Sequence, residues 1–166
     1  NITYTVSYLS DAAQEEKVAQ IEKEVFRTLK ISGKSDYQKV KAIYDYICSN
    51  VSYDYTNLNN DTYIQKYTAY AALIDKTAVC QGYASLLYRM VLDAGVDARV
   101  ISGDAGGPHA WNIVRLKDKY YNLDSTWDAG RENYSYFLKS MKAFSDHERD
   151  EDYSSSEFTE AYPMAE

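Results

Sequence analysis

The sequence predicts an α+β domain in which helices pack on one side of an antiparallel β-sheet. Three observations carry this. Apolar residues recur at helical spacing through the first half of the chain, the pattern switches to strict alternation after Gly95, and two alternating segments meet at Lys117-Asp118 as a hairpin. Helices followed by strands favour a sheet with its helices segregated to one face.

Thr3 to Tyr8 alternates polar and apolar residues and reads as an edge strand. Asp11 to Leu29 places Val18, Ile21, Val25 and Leu29 on one helical face. The segment from Ile31 to Asp36 breaks that pattern, and Ser35 or Asp36 can cap a second helix with the stripe Val40, Ile43, Tyr44, Ile47 and Val51. Cys48 falls beside this stripe and reads as core. Ser49 to Asp61 is polar and irregular, predicting a surface loop that borders any cleft, and a short helix is expected over Thr68 to Ile74.

Thr77 can cap the next helix, which runs through Leu92 with Ala84, Leu87, Tyr88, Val91 and Leu92 on one face and Gly95 at its end. Cys80 lies on that face at the first turn. Unpaired backbone N–H groups and the positive end of the helix dipole favour a thiolate there and can receive an oxyanion. Gly82 either leaves room for a substrate backbone or serves close helix packing.

Ala98, Val100 and Ser102 then alternate with Arg99, Ile101 and Gly103 as a strand. His109 to Leu116 and Tyr120 to Thr126 form the predicted hairpin. With a two-residue turn, Leu116 faces Lys119, His109 faces Thr126 and Trp111 faces Asp124, so His109 and Asp124 project diagonally from the same face. That face is expected to pack against the helix face bearing Cys80. Two short elements follow, Tyr134 to Ser140 and Met141 to Ser145, and Phe158, Tyr162 and Pro163 are expected to pin an acidic, serine-rich tail to the body.

At 166 residues and 45% hydrophobic content the chain suits one domain over residues 1–166. Its core is expected at about 36–136, with an N-terminal strand and helix in 1–34 and an acidic C-terminal segment in 146–166. The net charge of −7, from 18 basic and 25 acidic residues, argues against nucleic acid as a partner. The run Asp146-His-Glu-Arg-Asp-Glu-Asp152 reads as a solvated loop, His147 with it, and its spacing lacks the EF-hand pattern. No metal or organic cofactor is expected. No apolar run reaches membrane-spanning length, so no membrane insertion is expected. A chain opening at Asn1 without methionine suits a processed or excised form. Its 18 tyrosines and frequent Ser, Thr and Asn tilt the expected location toward the cell envelope or the extracellular space.

Three frames carry the chemistry: Thr77-Ala-Val-Cys-Gln-Gly-Tyr-Ala84, His109-Ala-Trp-Asn112 and Tyr120-Tyr-Asn-Leu-Asp-Ser-Thr-Trp127. They supply a thiol, an imidazole to take its proton and a carboxylate to hold that imidazole in one tautomer. In this order the frames resemble the microbial branch of the transglutaminase-like superfamily, a resemblance covering Asp36 to Tyr136. It implies a papain-like core with Cys80 as nucleophile, His109 as general base and acid, and Asp124 as orienter. Asp124 could instead cap the turn that follows it, with Asp128 as substitute. Papain-like enzymes donate to the oxyanion from a glutamine a few residues before the cysteine. Residues 76–79 contain none, so Gln81, Tyr67 and Tyr70 stand as candidates beside the Cys80 N–H. Trp111 and Trp127 either wall the cleft or belong to aromatic core.

The reading is a cysteine-nucleophile acyl transfer at amide bonds of a protein or peptide substrate, cell-wall-associated substrates included, through a thioester. Hydrolysis is favoured slightly over cross-linking. The alternative is a catalytically silent cell-surface module that binds peptide or glycan and retains the fold.

Overall fold

Two capped helices open the fold, and each shows why its sequence stops and starts where it does. In this computed structural model, which describes residues 3–166, α1 spans Ala12–Leu29 and α2 spans Asp36–Asn50. Asp11 accepts from the Gln14 backbone and Ser35 from that of Gln38, and both glutamine side chains return the bond, giving two complete capping boxes. The predicted stripe of α2 is buried from Val40 to Val51, with Cys48 beside it. Thr3 to Tyr8 differs from expectation. It forms no strand, and Tyr4, Val6 and Tyr8 lie exposed, because no strand edge among the described residues meets it.

After α2 the chain makes a two-residue strand, β1 (Ser52–Tyr53), and then the expected irregular loop. A 3-10 turn at Ile64–Tyr67 and a π-helical turn at Ala71–Asp75 replace the single helix expected near Thr68 to Ile74. Lys66 is fully buried, and its Nζ donates to the carbonyls of Asn57, Leu58 and Asn60 at 2.7, 3.0 and 2.9 Å. Three charge-assisted bonds from one side chain fix the loop's backbone without any regular element.

Strand β2 (Thr77–Ala78) pairs parallel with β1, Ser52 opposite Thr77 and Tyr53 opposite Ala78. Thr77 is therefore a strand residue and does not cap a helix. Helix α3 (Cys80–Asp93) begins after Val79, which offers no side-chain cap. Its buried residues include Ala84, Leu87 and Val91.

A four-stranded sheet follows, antiparallel throughout, a three-strand meander with Glu148–Arg149 (β6) paired to the outer side of its first strand. Strands β3 (Ala98–Asp104), β4 (Pro108–Leu116) and β5 (Lys119–Leu123) form a meander whose hairpin places Leu116 opposite Lys119 and Asn112 opposite Leu123, the predicted register. The chain leaves the sheet at Asp124 for a short helix, α4 (Ser125–Asp128), so the second hairpin strand ends earlier than expected.

Alternation divides the sheet between two cores. Ala98, Val114 and Leu123 join the main core with α2 and α3, and Asn112 donates to the Ala84 carbonyl of α3 at 2.9 Å. Ile101, Trp111, Ile113 and Tyr120 face the other way, into a second cluster with Phe144. Phe158 and Tyr162 cover this second cluster, as expected of the tail, and Tyr120 N–H donates to the Pro163 carbonyl. The tail also forms α5 (Ser156–Ala161), capped by Ser155.

The acidic run is not a solvated loop. Glu148–Arg149 form β6, pairing with Asp104 and Gly103 of β3. A side chain at Gly103 would collide with Glu148 O and come within 2.9 Å of the Arg149 backbone, so the missing Cβ is what admits β6. Local charge predicts solvation, but the pairing is non-local.

Candidate active site

Cys80 opens α3, half-buried, on the wall of a cleft of about 540 Å³ that His109 also lines. Both cysteines are free. The thiol reaches this wall because Val79 N–H donates to the Lys66 carbonyl at 3.1 Å, seating the helix start on the 3-10 turn. Gly82 takes the bland role. A Cβ there would lie 2.7 Å from Ala78 Cβ and 2.8 Å from Lys66 O, so the glycine permits this seating and does not face substrate.

His109 sits near the start of β4, at the end of the sheet. It shares its face with Trp111, which belongs to the second cluster, so it projects away from the α3 face. The expected packing of the His109 face against α3 is therefore corrected. Cys80 and His109 meet around the end of the sheet, because one lies in the first turn of its helix and the other in the first residues of its strand.

Asp124 is as near His109 as the register requires: Nε2 of the imidazole lies 2.8 Å from Oδ2. The other oxygen, Oδ1, accepts from the backbone of Thr126 and Trp127 at 2.9 and 3.1 Å, capping α4. The carboxylate therefore makes both contacts at once, one per oxygen. Burial would raise its pKa, yet the bonds from His109 and His147 outweigh that and hold it below the usual carboxylate range. For His109, burial lowers the pKa, while the bonds to Asp124 and Cys80 and both their charges raise it, to about 9. The ring is set to be an imidazolium with the Cys80 sulfur on one side and the Asp124 carboxylate on the other.

Sequence reasoning missed two residues. Tyr53, carried in by the β1–β2 pair, lines the cleft with its hydroxyl near the Cys80 backbone N–H. Burial first, and the Cys80 charge next, push that phenol up to about 12, with the Cys80 N–H opposing, so it stays an O–H donor. Its only sequence signal was membership of the loop expected to border the cleft. His147, read as solvated, has a fully buried side chain. Its Nε2 lies 3.1 Å from Asp124 Oδ2 and its Nδ1 2.9 Å from Asp146 Oδ1.

The remaining candidates separate. Tyr67 and Gln81 line the cleft, whereas Tyr70 packs against the main core away from it. Trp111 is core, 1% exposed. Trp127 packs on the His109 ring at 5.6 Å between centroids and lines a second concavity, shared with His109 and Tyr53. Asp128 is fully buried and takes no part in the cleft; it accepts from Tyr44 Oη and from the Ser135 and Tyr136 backbone, bracing α4 against α2. His109, Asp124 and His147 bring one nitrogen or oxygen each within 4.8 Å of one another, but these atoms are already paired by mutual hydrogen bonds.

The profile of the transglutaminase-like superfamily matches residues 23–125, a span that includes Cys80, His109 and Asp124. The chain belongs to that superfamily. Among curated proteins, this transglutaminase-like domain is 31% identical over 109 residues to the kyphoscoliosis peptidase of Mus musculus and 30% identical over 109 residues to that of Homo sapiens. Each match covers 58% of this chain and 16% of the relative, so the chain spans a minor part of those proteins. Among solved structures, a TGase superposes with a TM-score of 0.63 at 21% identity, over 80% of this chain and 37% of the other. A candidate cysteine protease from Cytophaga hutchinsonii superposes with a TM-score of 0.56 at 18% identity, over 84% and 46%. These two likenesses establish the fold: a transglutaminase-like and papain-like α+β core. No helix among the described residues is long and apolar enough to cross a membrane.

Proposed function

We propose that this chain is a thiol enzyme that cleaves or transfers amide acyl groups of protein or peptide substrates. The observation that carries the reading is His109 held by Asp124 on one ring nitrogen while it shares the cleft with Cys80 at a helix start. Cys80 thiolate attacks the amide carbonyl carbon, forming the C–S bond and an oxyanion. The Cys80 N–H and the Tyr53 hydroxyl receive that oxyanion, with Tyr67 and Gln81 at the cleft wall beside them. Collapse breaks the C–N bond as His109 gives its proton to the departing nitrogen, leaving a thioester.

His109, now neutral, takes a proton from the acceptor as it attacks the thioester, and breaking of the C–S bond returns the Cys80 thiolate beside the imidazolium. Water as acceptor gives the acid, and a lysine amine gives an isopeptide bond. We favour water, because His109 borders a concavity on each flank through which a small acceptor can approach. The test is an amine-incorporation assay on a glutamine-containing protein, run beside ammonia or peptide release. Product release that needs Cys80 and His109 and leaves no labelled amine on protein supports hydrolysis. Cys80-dependent labelling assigns transfer instead, and loss of neither product in Cys80→Ala removes the enzyme reading.

A further inference from the structure

We infer that His147 is a second histidine of this site, a positioning residue that holds Asp124 at the same oxygen as His109 and ties it to the surface carboxylate Asp146. The inference deepens the proposed function and rests on the roles given there to Cys80, His109 and Asp124.

Both ring nitrogens of His147 face carboxylate oxygens, Nε2 at 3.1 Å from Asp124 Oδ2 and Nδ1 at 2.9 Å from Asp146 Oδ1. An ionised carboxylate only accepts, so both contacts are hydrogen bonds only if the ring donates from both nitrogens. Both carboxyls are held below their usual range against burial, His147 being among the donors that do so in each case. The ring between them is then an imidazolium, and with the thiolate–imidazolium pair the site becomes a chain of alternating charge: Cys80, His109, Asp124, His147, Asp146.

The position is built. His147 stacks on Phe144 with 3.9 Å between centroids and packs against Trp127, Trp111 and Tyr136 at 4.5 to 5.6 Å. Asp146 is fixed in turn by the Tyr136 hydroxyl at 2.7 Å. The charged and titratable groups around the ring are Asp124 at the start of α4, His109 from β4, Asp146 and Tyr136. Arg149 of β6 reaches Asn122 in the same layer. Gly103 admits β6, which brings the His147 segment back over this face.

The consequence for catalysis is electrostatic. A cation on Asp124 Oδ2 offsets part of the negative charge that His109 feels and shares the oxygen that orients it. Without His147, the imidazolium form of His109 would be favoured further, and Asp124 would lose one of its two side-chain constraints.

The chain has two histidines, so ring NMR of labelled histidine in the whole protein resolves the question. The His147 ring is expected to show a hydrogen-bonded proton on each nitrogen, one toward each carboxylate. In His147→Gln the titration of His109 should move up by about half a pH unit or more, and the pH profile of Cys80 alkylation should move with it. Asp146→Asn, a substitution at a half-exposed side chain, should leave the fold intact while altering the protonation pattern of the His147 ring. A His147 ring with one protonated nitrogen, or a His109 titration unmoved in folded His147→Gln, overturns the inference. If His147→Gln fails to fold, an unaltered His147 ring in Asp146→Asn does the same. Failure of the enzyme reading registers separately, as Cys80 alkylation indifferent to His109→Ala.

Discussion

Asp124 serves His109 with one oxygen and its own chain with the other. Oδ2 lies 2.8 Å from His109 Nε2, while Oδ1 accepts from the Thr126 and Trp127 backbone at the start of α4. The cap fixes the carboxylate's rotation about its own bond, so the imidazole is aimed by a group that cannot turn away without uncapping a helix.

Asp124→Asn separates the two tasks. An asparagine still caps α4 through its oxygen, but its amide N–H₂ faces His109 Nε2 and asks that nitrogen to accept. The ring must then carry its proton toward Cys80, where it no longer serves as a base. Turnover is expected to fall by about 10³ to 10⁴-fold, the scale seen when an orienting carboxylate becomes an amide. Thermal stability should fall as well, because the amide N–H₂ also replaces the acceptor of the buried His147 Nε2, a loss of about 1–3 kcal/mol. Asp124→Ala should lose the cap as well, about 1 kcal/mol beyond the asparagine variant. Paired thermal melts and single-substrate kinetics on the two variants check both statements.

The pH dependence of the thiol follows from His109. With the imidazole pushed up to about 9, the imidazolium persists through neutral pH and is lost as pH rises through about 9. Cys80 alkylation at pH 7 should therefore run about tenfold or more faster than that of an unactivated thiol, and His109→Ala should abolish the difference. Cys48 is the internal control. It is 3% exposed, and burial, then the Asp128 charge, push its thiol well up, so it should stay unmodified until the protein unfolds. Peptide mass after timed alkylation separates the two cysteines.

The three main helices, the Ser35 cap and the hairpin register were legible because each is local: apolar spacing along one helix, Ser35 with Gln38, and a two-residue turn that sets Leu116 against Lys119. The same register placed His109 and Asp124 on one face. Which face covers α3 was not legible, since His109, Trp111 and Asn112 are all compatible with burial and only three-dimensional packing sorts them. Tyr53 and His147 were missed for a related reason. Tyr53 reaches the cleft through a parallel pairing with residues 77–78, and His147 is buried by Phe144 and by a strand that pairs with β3 across 44 to 46 positions. Neither leaves a periodic trace in its own neighbourhood.

Gly82→Ala should destabilise the site's foundation. The added carbon would lie 2.7 Å from Ala78 Cβ and 2.8 Å from the Lys66 carbonyl, and the latter accepts the Val79 N–H that seats α3. Backbone must move, at a cost of about 1–3 kcal/mol typical of overpacking. Because the displaced segment carries Cys80, alkylation at pH 7 should slow in parallel with the fall in melting temperature. A variant with wild-type stability and slowed alkylation would instead return Gly82 to a substrate-facing role.

Glu22 ties stability to pH far from the cleft. Its side chain is 4% exposed, Oε2 bonds Arg89 Nε at 3.1 Å and Oε1 has no hydrogen-bond partner among the described residues. Burial, opposed by the Arg89 bond and helped by the Asp93 charge, raises its pKa to about 7. A carboxyl raised in the folded state binds its proton more tightly there than in the unfolded chain, so folding is favoured while the group is protonated. That advantage is complete below the unfolded value of about 4.3 and is lost as pH rises toward 7. Glu22→Gln removes the penalty of ionisation. It should match wild type at low pH and exceed it by about 1–3 kcal/mol at pH 8, the retained Glu15 contact keeping Arg89 in place. Denaturant titrations of both proteins at pH 5 and 8 read the gap directly. A gap that fails to widen with pH would mean that Glu22 is ionised at both.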